Sequence, residues 1–197
     1  MGVYTNNANR LWNQQVPVVC TDTKIASWIV EFNDTVGLHV FVVLTQQGNL
    51  PDYVLYDANV QSSKSYIGRK GGSQPLSVNE WEKVEENLIL SHRYKSLGHL
   101  KGTLFHELGH TVGLGHENYH TNWPGWATQE GRRDEGYDLV MTRTWRNSRY
   151  QNQGAYDPDS VMLYSMYRPQ DRNNSALSAG DIATIKSLFW RHVPSCS

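Results

Sequence analysis

The sequence predicts an α+β domain, because helical and strand patterns occur together along one chain. Apolar side chains recur every three or four residues between Thr21 and Thr35, which is the period of an amphipathic helix. The β-branched apolar run from Leu38 to Thr45 follows and suits a buried strand. Helical spacing returns from Ser178 to about Trp190. These three segments together indicate helices packed against a sheet.

Shorter elements are predicted between the first strand and the middle of the chain. Three further segments are predicted as strands: Tyr53 to Tyr56, Ser65 to Ile67 and Asn87 to His92. Gly71, Gly72 and Pro75 break the pattern between the second and third of these. The polar segment from Ser77 to Glu86 is predicted as a solvated turn or a short helix. Either Thr21 or Asp22 can cap the first helix.

A second helix is predicted from about Gly98 or Leu100 to Val112. Leu104, Leu108 and Val112 recur at four-residue spacing and would form its core face. The histidines of this segment would then lie towards a cleft. Beyond His116, regular patterning is poor until the segment around Met162, so a long stretch of loops is expected.

Composition excludes several classes of protein. A chain of 197 residues with 39% hydrophobic residues can bury one substantial core, and nothing indicates two independent domains. The net charge of −1 and the scattered basic residues give no electrostatic footprint for nucleic acid or for an anionic membrane. No apolar run approaches the ~18 residues that a membrane span needs. We therefore expect no membrane insertion, and we expect a monomer.

The cysteines and the glycosylation sequons decide little. Cys20 and Cys196 are the two cysteines of the chain. A disulfide between them is the favoured interpretation, and two free thiols are the alternative. The sequon Asn33-Asp34-Thr35 would permit glycosylation only along a eukaryotic secretory route.

Three histidines and one glutamate lie within the eleven residues from His106 to His116. Residues four apart share a helix face, so His106 and His110 can direct ring nitrogens at one metal ion. Gly113 can adopt a positive φ, end the helix and turn the chain. His116 can then return as a third ligand. Three neutral protein ligands leave a position for water, which is the arrangement of a catalytic zinc.

Glu107 is next to the first histidine and is the natural general base for such a water. The alternative for each of these residues is an ordinary solvated helix face, but chance rarely produces the whole pattern. His120 lies four residues past His116 and could compete as a ligand. We leave it out of the metal shell. The pattern favours a zinc-dependent peptidase.

A second segment, Tyr156 to Tyr164, surrounds Met162 and resembles the methionine turn of metzincin zinc peptidases. With the histidine motif, it makes the chain similar to that clan. Glu117, directly after the third histidine, is the residue typical of astacins, and Tyr164 matches the tyrosine that astacins and serralysins use as an additional zinc ligand. The chain therefore resembles a divergent astacin, with a serralysin- or matrixin-like family as the alternative. Leu163 stands where astacins commonly have histidine.

The resemblance implies a metzincin-type fold, with a twisted mixed β-sheet, an active-site helix and a C-terminal helix. One catalytic domain would span residues 1–197. A cleft would separate an upper subdomain, 1–115, which holds the sheet and the zinc helix, from a lower subdomain, 116–197. The lower subdomain would hold the methionine turn and the last helix.

The resemblance also assigns roles at the site. One catalytic Zn2+ would be bound by His106, His110, His116 and Tyr164. Glu107 and Tyr164 would be the catalytic residues. Structural support would come from Gly113, Glu117 and Met162. In astacins the glutamate matching Glu117 meets the amino terminus of the mature enzyme.

A protein or peptide substrate is implied, bound in an extended form on an edge strand. That strand would be Asn87 to His92, with Ile89 and Leu90 as contact residues. Arg168 is a candidate for binding an acidic side chain just after the cleaved bond, and a solvated arginine is its alternative. The family implies a secreted endopeptidase. A non-catalytic zinc-binding module and a hydrolase of non-peptide amides are the competing functions.

Overall fold

The computed structural model describes residues 3–5, 7–57, 64–77, 97–124, 150–163 and 176–190. The strands in this part of the chain are β1 (Val3–Thr5), β2 (Val16–Val19), β3 (Phe41–Leu44), β4 (Asp52–Asp57), β5 (Lys64–Ser65), β6 (Gly72–Ser77) and β7 (Tyr150–Asn152). The α-helices are α1 (Thr23–Val36), α2 (Leu97–Thr111) and α3 (Ala179–Trp190). Short 3-10 turns occur at Ala8–Arg10 and Glu117–Tyr119. The predicted α+β class is confirmed.

The main sheet has five strands in the order β3-β2-β4-β6-β5. β2 runs parallel to β3 and β4, and β4 runs parallel to β6. β5 pairs antiparallel with β6 and forms one end of the described sheet, so the sheet is mixed, as expected. A separate antiparallel pair joins β1 to β7. No sequence pattern predicted that pair.

Helix α1 connects the parallel strands β2 and β3, and two residues fix its ends. Asp22 Oδ1 accepts two backbone N–H groups of the first turn, each at 2.9 Å, and is therefore the cap. Gly37 ends the helix with φ of 71°, a conformation that favours glycine. The predicted helix is confirmed. Its apolar face is buried, with Ile25, Ile29 and Phe32 inaccessible to solvent.

The core face of α2 is the predicted one, since Leu104, Leu108 and Val112 are fully buried. They belong to one cluster of buried apolar side chains that also includes residues of α1, the sheet, α3 and the segment around Met162. This core brings the histidine-bearing end of α2 against the methionine turn. Among the described helices, none has both the length and the apolar character needed to cross a bilayer.

One predicted break in the sheet is wrong. Gly72 and Pro75 do not interrupt the strands, because both lie in β6, which pairs with β4 along its whole length. β5 pairs only with Leu76 and Ser77. Among the described strands, Pro75 is therefore paired with β4 alone and lies at an edge of the sheet. A residue without an N–H is tolerated at such a position.

Cys20 is a free, buried cysteine at the end of β2, which contradicts the favoured disulfide. Its Sγ donates to the carbonyl of Asp22 at 3.5 Å, and burial raises the pKa of the thiol. Cys196 lies outside the described residues. So do the predicted strand Asn87 to His92 and residues 78–86 of the predicted turn. The division into subdomains stays a prediction.

Asn33, the first residue of the sequon, has a structural role, because its side chain bonds to the backbone of Phe41. Its carboxamide donates to the carbonyl of Phe41 at 2.8 Å and accepts from the N–H of the same residue at 2.9 Å. These bonds tie α1 to the start of β3. Because the side chain is buried and held by both bonds, the folded domain has no accessible amide at this sequon for a glycan.

Candidate metal centre

Three imidazoles converge at the carboxyl end of α2. His106 and His110 lie on that helix, one turn apart, and His116 lies just before the next 3-10 turn. A ligand nitrogen from each ring falls within 4.8 Å of the other two. The Nε2 atoms of His110 and His116 are 3.0 Å apart. The three histidines are therefore positioned to bind one metal ion.

Gly113 makes the turn that brings His116 back towards the helix. Its φ is 108°, its N–H donates to the carbonyl of His110 at 2.8 Å, and its carbonyl accepts from the N–H of Thr5 at 2.9 Å. A Cβ at this position would lie 2.9 Å from Leu11 Cδ2. The backbone conformation favours glycine here, and any other side chain would also have to displace the end of Leu11. The predicted turn is present.

Backbone carbonyls orient two of the rings. Nδ1 of His106 lies 2.8 Å from the carbonyl oxygen of Val161, and Nδ1 of His110 lies 2.9 Å from that of Leu114. A carbonyl can only accept, so Nδ1 is the protonated nitrogen in each ring and Nε2 carries the lone pair. Metal-binding histidines are commonly held in this way. The donor set therefore fits a zinc ion.

The electrostatics of the rings also fit a metal. Burial lowers the pKa of His110 to about 4. Burial, followed by repulsion from His110 and His106, lowers the pKa of His116 well below its usual value. Both rings are therefore neutral near pH 7, and neutral imidazole is the form that binds zinc.

Glu107 follows the first histidine and is only 6% exposed. Burial raises the pKa of its carboxyl group to about 7, although a hydrogen bond from Ser65 opposes the rise. Ser65 lies on β5, and its Oγ is 2.6 Å from Oε2 of Glu107. A carboxyl group with such a pKa can both accept and return a proton near neutral pH.

Met162 packs directly under α2. It is buried, and its Sδ lies where a side chain at Gly109 would have to be. Its carbonyl accepts from the N–H of Glu117 at 3.1 Å. The methionine turn thus touches both the helix that carries two of the histidines and the segment that carries the third.

A carboxylate of α3 fixes the methionine turn. Asp181 accepts from Ser160 Oγ at 2.6 Å and from the N–H of Val161 at 2.8 Å. The carbonyl of Val161 is the one that orients His106. Asp181 and Ser178 also form a reciprocal capping box at the start of α3, with bonds of 3.0 and 2.9 Å. Burial raises the pKa of Asp181 in spite of these bonds.

Glu117 is fully buried next to the third histidine. Its Oε1 accepts from the N–H of Asp157 at 2.8 Å, and its Oε2 has no hydrogen-bond partner among the described residues. Burial, with the neighbouring carboxylates of Asp181 and Asp157, raises its pKa to about 8. The resemblance assigns an amino terminus to this carboxylate, but residues 1 and 2 lie outside the described part of the chain.

His120 is held apart from the three-histidine cluster. Its Nδ1 accepts from the N–H of Asn122 at 3.1 Å, so its Nε2 is protonated and donates to the carbonyl of Gly154 at 3.0 Å. His120 therefore connects the segment around Asn122 to the segment around Gly154. Of the other predicted site residues, Tyr164, Ile89, Leu90 and Arg168 lie outside the described residues.

The contributions of Ser65 and Asp181 to the site were not predicted from the sequence. The sequence predicts Ser65 only as a strand residue, and its partner Glu107 is 42 positions away. The Ser178-x-x-Asp181 spacing is a recognisable capping-box signal. No local signal, however, shows that the same carboxylate also bonds to Val161, 20 positions away.

The fold and the site point to one class of protein: the described architecture is similar to that of metzincin-type zinc proteases, and the described residues include a cluster of three histidines positioned to bind one metal ion. One similar solved structure is high choriolytic enzyme 1, a hatching enzyme zinc-protease from the medaka fish Oryzias latipes. It has a TM-score of 0.56 and 16% identity, over 93% of this chain and 96% of that one. Myroilysin is similar with a TM-score of 0.55 and 18% identity, over 98% and 100% of the two chains.

A comparison of sequences also finds similarity to a metalloprotease. The chain is 33% identical over 66 residues to astacin-like metalloprotease toxin 4 from Loxosceles laeta. The match covers 33% of this chain and 57% of that protein, so it spans somewhat over half of the relative. No protein-family model matches. The chain is thus similar to astacin-like metalloproteases, and it is divergent from them.

Proposed function

We propose that the protein is a zinc-dependent endopeptidase that hydrolyses peptide bonds in proteins or peptides. The observation that carries this proposal is the cluster of three histidines positioned to bind one metal ion, with the buried carboxyl group of Glu107 directly after the first of them. A proton acceptor next to a metal site is what hydrolysis requires.

His106, His110 and His116 would hold the zinc, and Tyr164 is the proposed fourth ligand. When bound, zinc would polarise the scissile carbonyl and lower the pKa of a water molecule towards 7. Glu107 would take the proton of that water on its carboxylate and later pass it to the departing amine. Its pKa of about 7 suits both transfers. Tyr164 would stabilise the oxyanion.

The substrate would lie extended along an edge of the sheet, main chain to main chain. Asn87 to His92, with Ile89 and Leu90, remains the strand proposed from the sequence. Within the described residues, β5 is a second candidate, because it ends the sheet and contacts the proposed base through Ser65. Arg168 remains a proposed contact for an acidic substrate side chain. Secretion and a monomeric state also remain proposals.

Casein hydrolysis by the wild type and by Glu107→Gln tests the proposal, with zinc content measured for each. We expect the wild type to cleave casein and a chelator to stop it. Glu107→Gln should keep one zinc per chain and lose about a hundredfold or more in rate, as for loss of a general base. Glu31→Gln is the matched control, because Glu31 is an exposed helix glutamate bonded to Lys101.

Two outcomes would contradict the proposal. A wild type that holds zinc but cleaves no protein would favour the zinc-binding module. Equal rates for the wild type and Glu107→Gln would remove Glu107 from the reaction, whatever the zinc content.

A further inference from the structure

Ser65 contacts the carboxylate of Glu107 from the edge of the sheet. Its Oγ lies 2.6 Å from Oε2 and 2.9 Å from the backbone oxygen of the same glutamate. A serine has only one hydroxyl proton to donate. The backbone oxygen already accepts from Thr111 Oγ1 at 3.0 Å, and the distance to Oε2 is the shorter one. The proton of Ser65 therefore belongs to the bond with the carboxylate.

We propose that Ser65 is a positioning residue for the general base: its hydroxyl holds Oε2 of Glu107 and leaves Oε1 to exchange the proton. This inference rests on the proposed function, because it requires Glu107 to act as the base. Within the described part of the chain, the one hydrogen bond that reaches this carboxylate is the bond from Ser65 to Oε2.

The strength of the contact supports this role. An O–H···O bond of 2.6 Å is in the range of charge-assisted bonds to a carboxylate. Glutamate has three side-chain torsions, so a carboxylate without a partner samples several rotamers. One bond from a neighbouring element restricts that sampling, and a base must be oriented to react.

The position of Ser65 makes the contact stiff. Ser65 is paired with Leu76 of β6, and Leu76 is fully buried. A little further along the chain, the N–H of Gly68 donates to the carbonyl of His110 at 2.8 Å. The segment that carries Ser65 is therefore bonded to α2 at two points, one at the proposed base and one at a candidate zinc ligand.

The test compares Ser65→Ala, Ser65→Thr and the matched control Thr111→Val. Thr111→Val removes a hydroxyl whose hydrogen bond, among the described residues, goes to the backbone oxygen of Glu107 and not to its carboxylate. For each variant, kcat and KM are measured on a peptide substrate, together with zinc content and the midpoint of thermal unfolding. Ser65→Ala is also made in the Glu107→Gln background.

We expect Ser65→Ala to lower kcat by about tenfold, the loss typical of one bond to a charged group. KM should stay within about twofold and zinc content should not change. Ser65→Thr, which keeps a hydroxyl, should restore most of kcat, and Thr111→Val should leave it within about twofold. In the Glu107→Gln background, the serine substitution should have no further effect, because the two residues act as one unit.

Several results would overturn the inference while leaving the proposed function intact. These are an unchanged kcat in Ser65→Ala, equal losses in the wild-type and Glu107→Gln backgrounds, or a loss in Ser65→Ala that follows its zinc content. Failure of Ser65→Thr to restore kcat while it remains folded would count equally against it. A wild type that cleaves no peptide would overturn the proposed function itself, and the role of Ser65 with it.

Discussion

At the scale of single residues, burial acts in opposite directions on the two kinds of titratable group in this site. It raises the pKa of Glu107 to about 7 and lowers that of His110 to about 4. Both shifts have one cause, because burial disfavours the charged form of each group. Near neutral pH the buried imidazoles of His110 and His116 are therefore neutral, and protons do not compete with a metal for their nitrogens.

Gly109 gives the sharpest prediction for a single substitution. An alanine in a helix interior normally stabilises a protein relative to glycine, by about 1 kcal/mol. Here the added Cβ would overlap Met162 Sδ. We expect Gly109→Ala to lower the free energy of unfolding by about 1–3 kcal/mol, measured by urea denaturation.

The double variant Gly109→Ala/Met162→Ala serves as the control for this clash. Because the shorter side chain at 162 removes the overlap, the double variant should lose less stability than the sum of the two single losses. A sum that is simply additive would show that the two positions do not interact.

At the scale of elements, the site depends on α3, which contributes none of the three histidines. Asp181 at the start of this helix bonds to Val161, whose carbonyl orients His106. We expect Asp181→Ala to weaken zinc binding by about 10- to 100-fold, as for other residues that orient a ligand. Zinc affinity is measured by competition with a chromophoric chelator.

Asp22→Ala is the matched control for Asp181→Ala. Asp22 is also an acidic cap, but its side chain caps α1 and accepts from backbone groups of that helix. Its loss should cost about 1 kcal/mol of stability and leave zinc affinity unchanged. Equal zinc affinities for Asp181→Ala and the wild type would remove α3 from the support of the metal site.

Elements in which apolar residues recur at regular spacing could be predicted from the sequence. Elements that depend on hydrogen bonding to a distant strand could not. The apolar spacing of α1 and α2 is local, so their position and buried faces followed from the pattern. β6 contains glycine and proline, and its strand is formed by pairing with β4 along its length and with β5 at its end. β1 and β7 are three residues each and are formed by contact across 147 positions.

The residues of the site also fall into those that a local pattern predicts and those that it does not. The three histidines and Glu107 lie within one short motif whose chemistry is readable from spacing. Ser65 and Asp181 act over long separations, and only the folded chain brings them to Glu107 and Val161.

At the scale of the whole molecule, metal binding should be coupled to stability. The metal-binding rings come from α2 and from the segment after Gly113, so zinc would bind the folded chain and not the unfolded one. Free zinc at about 100 times its dissociation constant would then add ~2.7 kcal/mol to the free energy of unfolding. We expect a chelator to lower the midpoint of thermal unfolding, and added zinc to restore it.

Two histidine variants distinguish the loss of a zinc ligand from the loss of a structural contact when the midpoint of thermal unfolding is measured with and without zinc. His116→Ala should lose most of the zinc-dependent rise in the midpoint. His120→Ala should unfold at a lower temperature, because it loses buried hydrogen bonds, but its midpoint should still respond to zinc. A normal zinc response in His116→Ala would contradict the proposed ligand set.

The contact between β1 and the turn at Gly113 gives the metal site an order of disassembly. The N–H of Thr5 bonds to the carbonyl of Gly113, and Tyr4 forms a bridge with Leu114. His106 and His110 are held by α2, whereas the path of the chain to His116 passes through this contact. Fraying at the amino-terminal strand would therefore loosen the turn that leads to the third ligand before it affects the first two, while the bond between Glu117 and Met162 still holds the segment beyond His116.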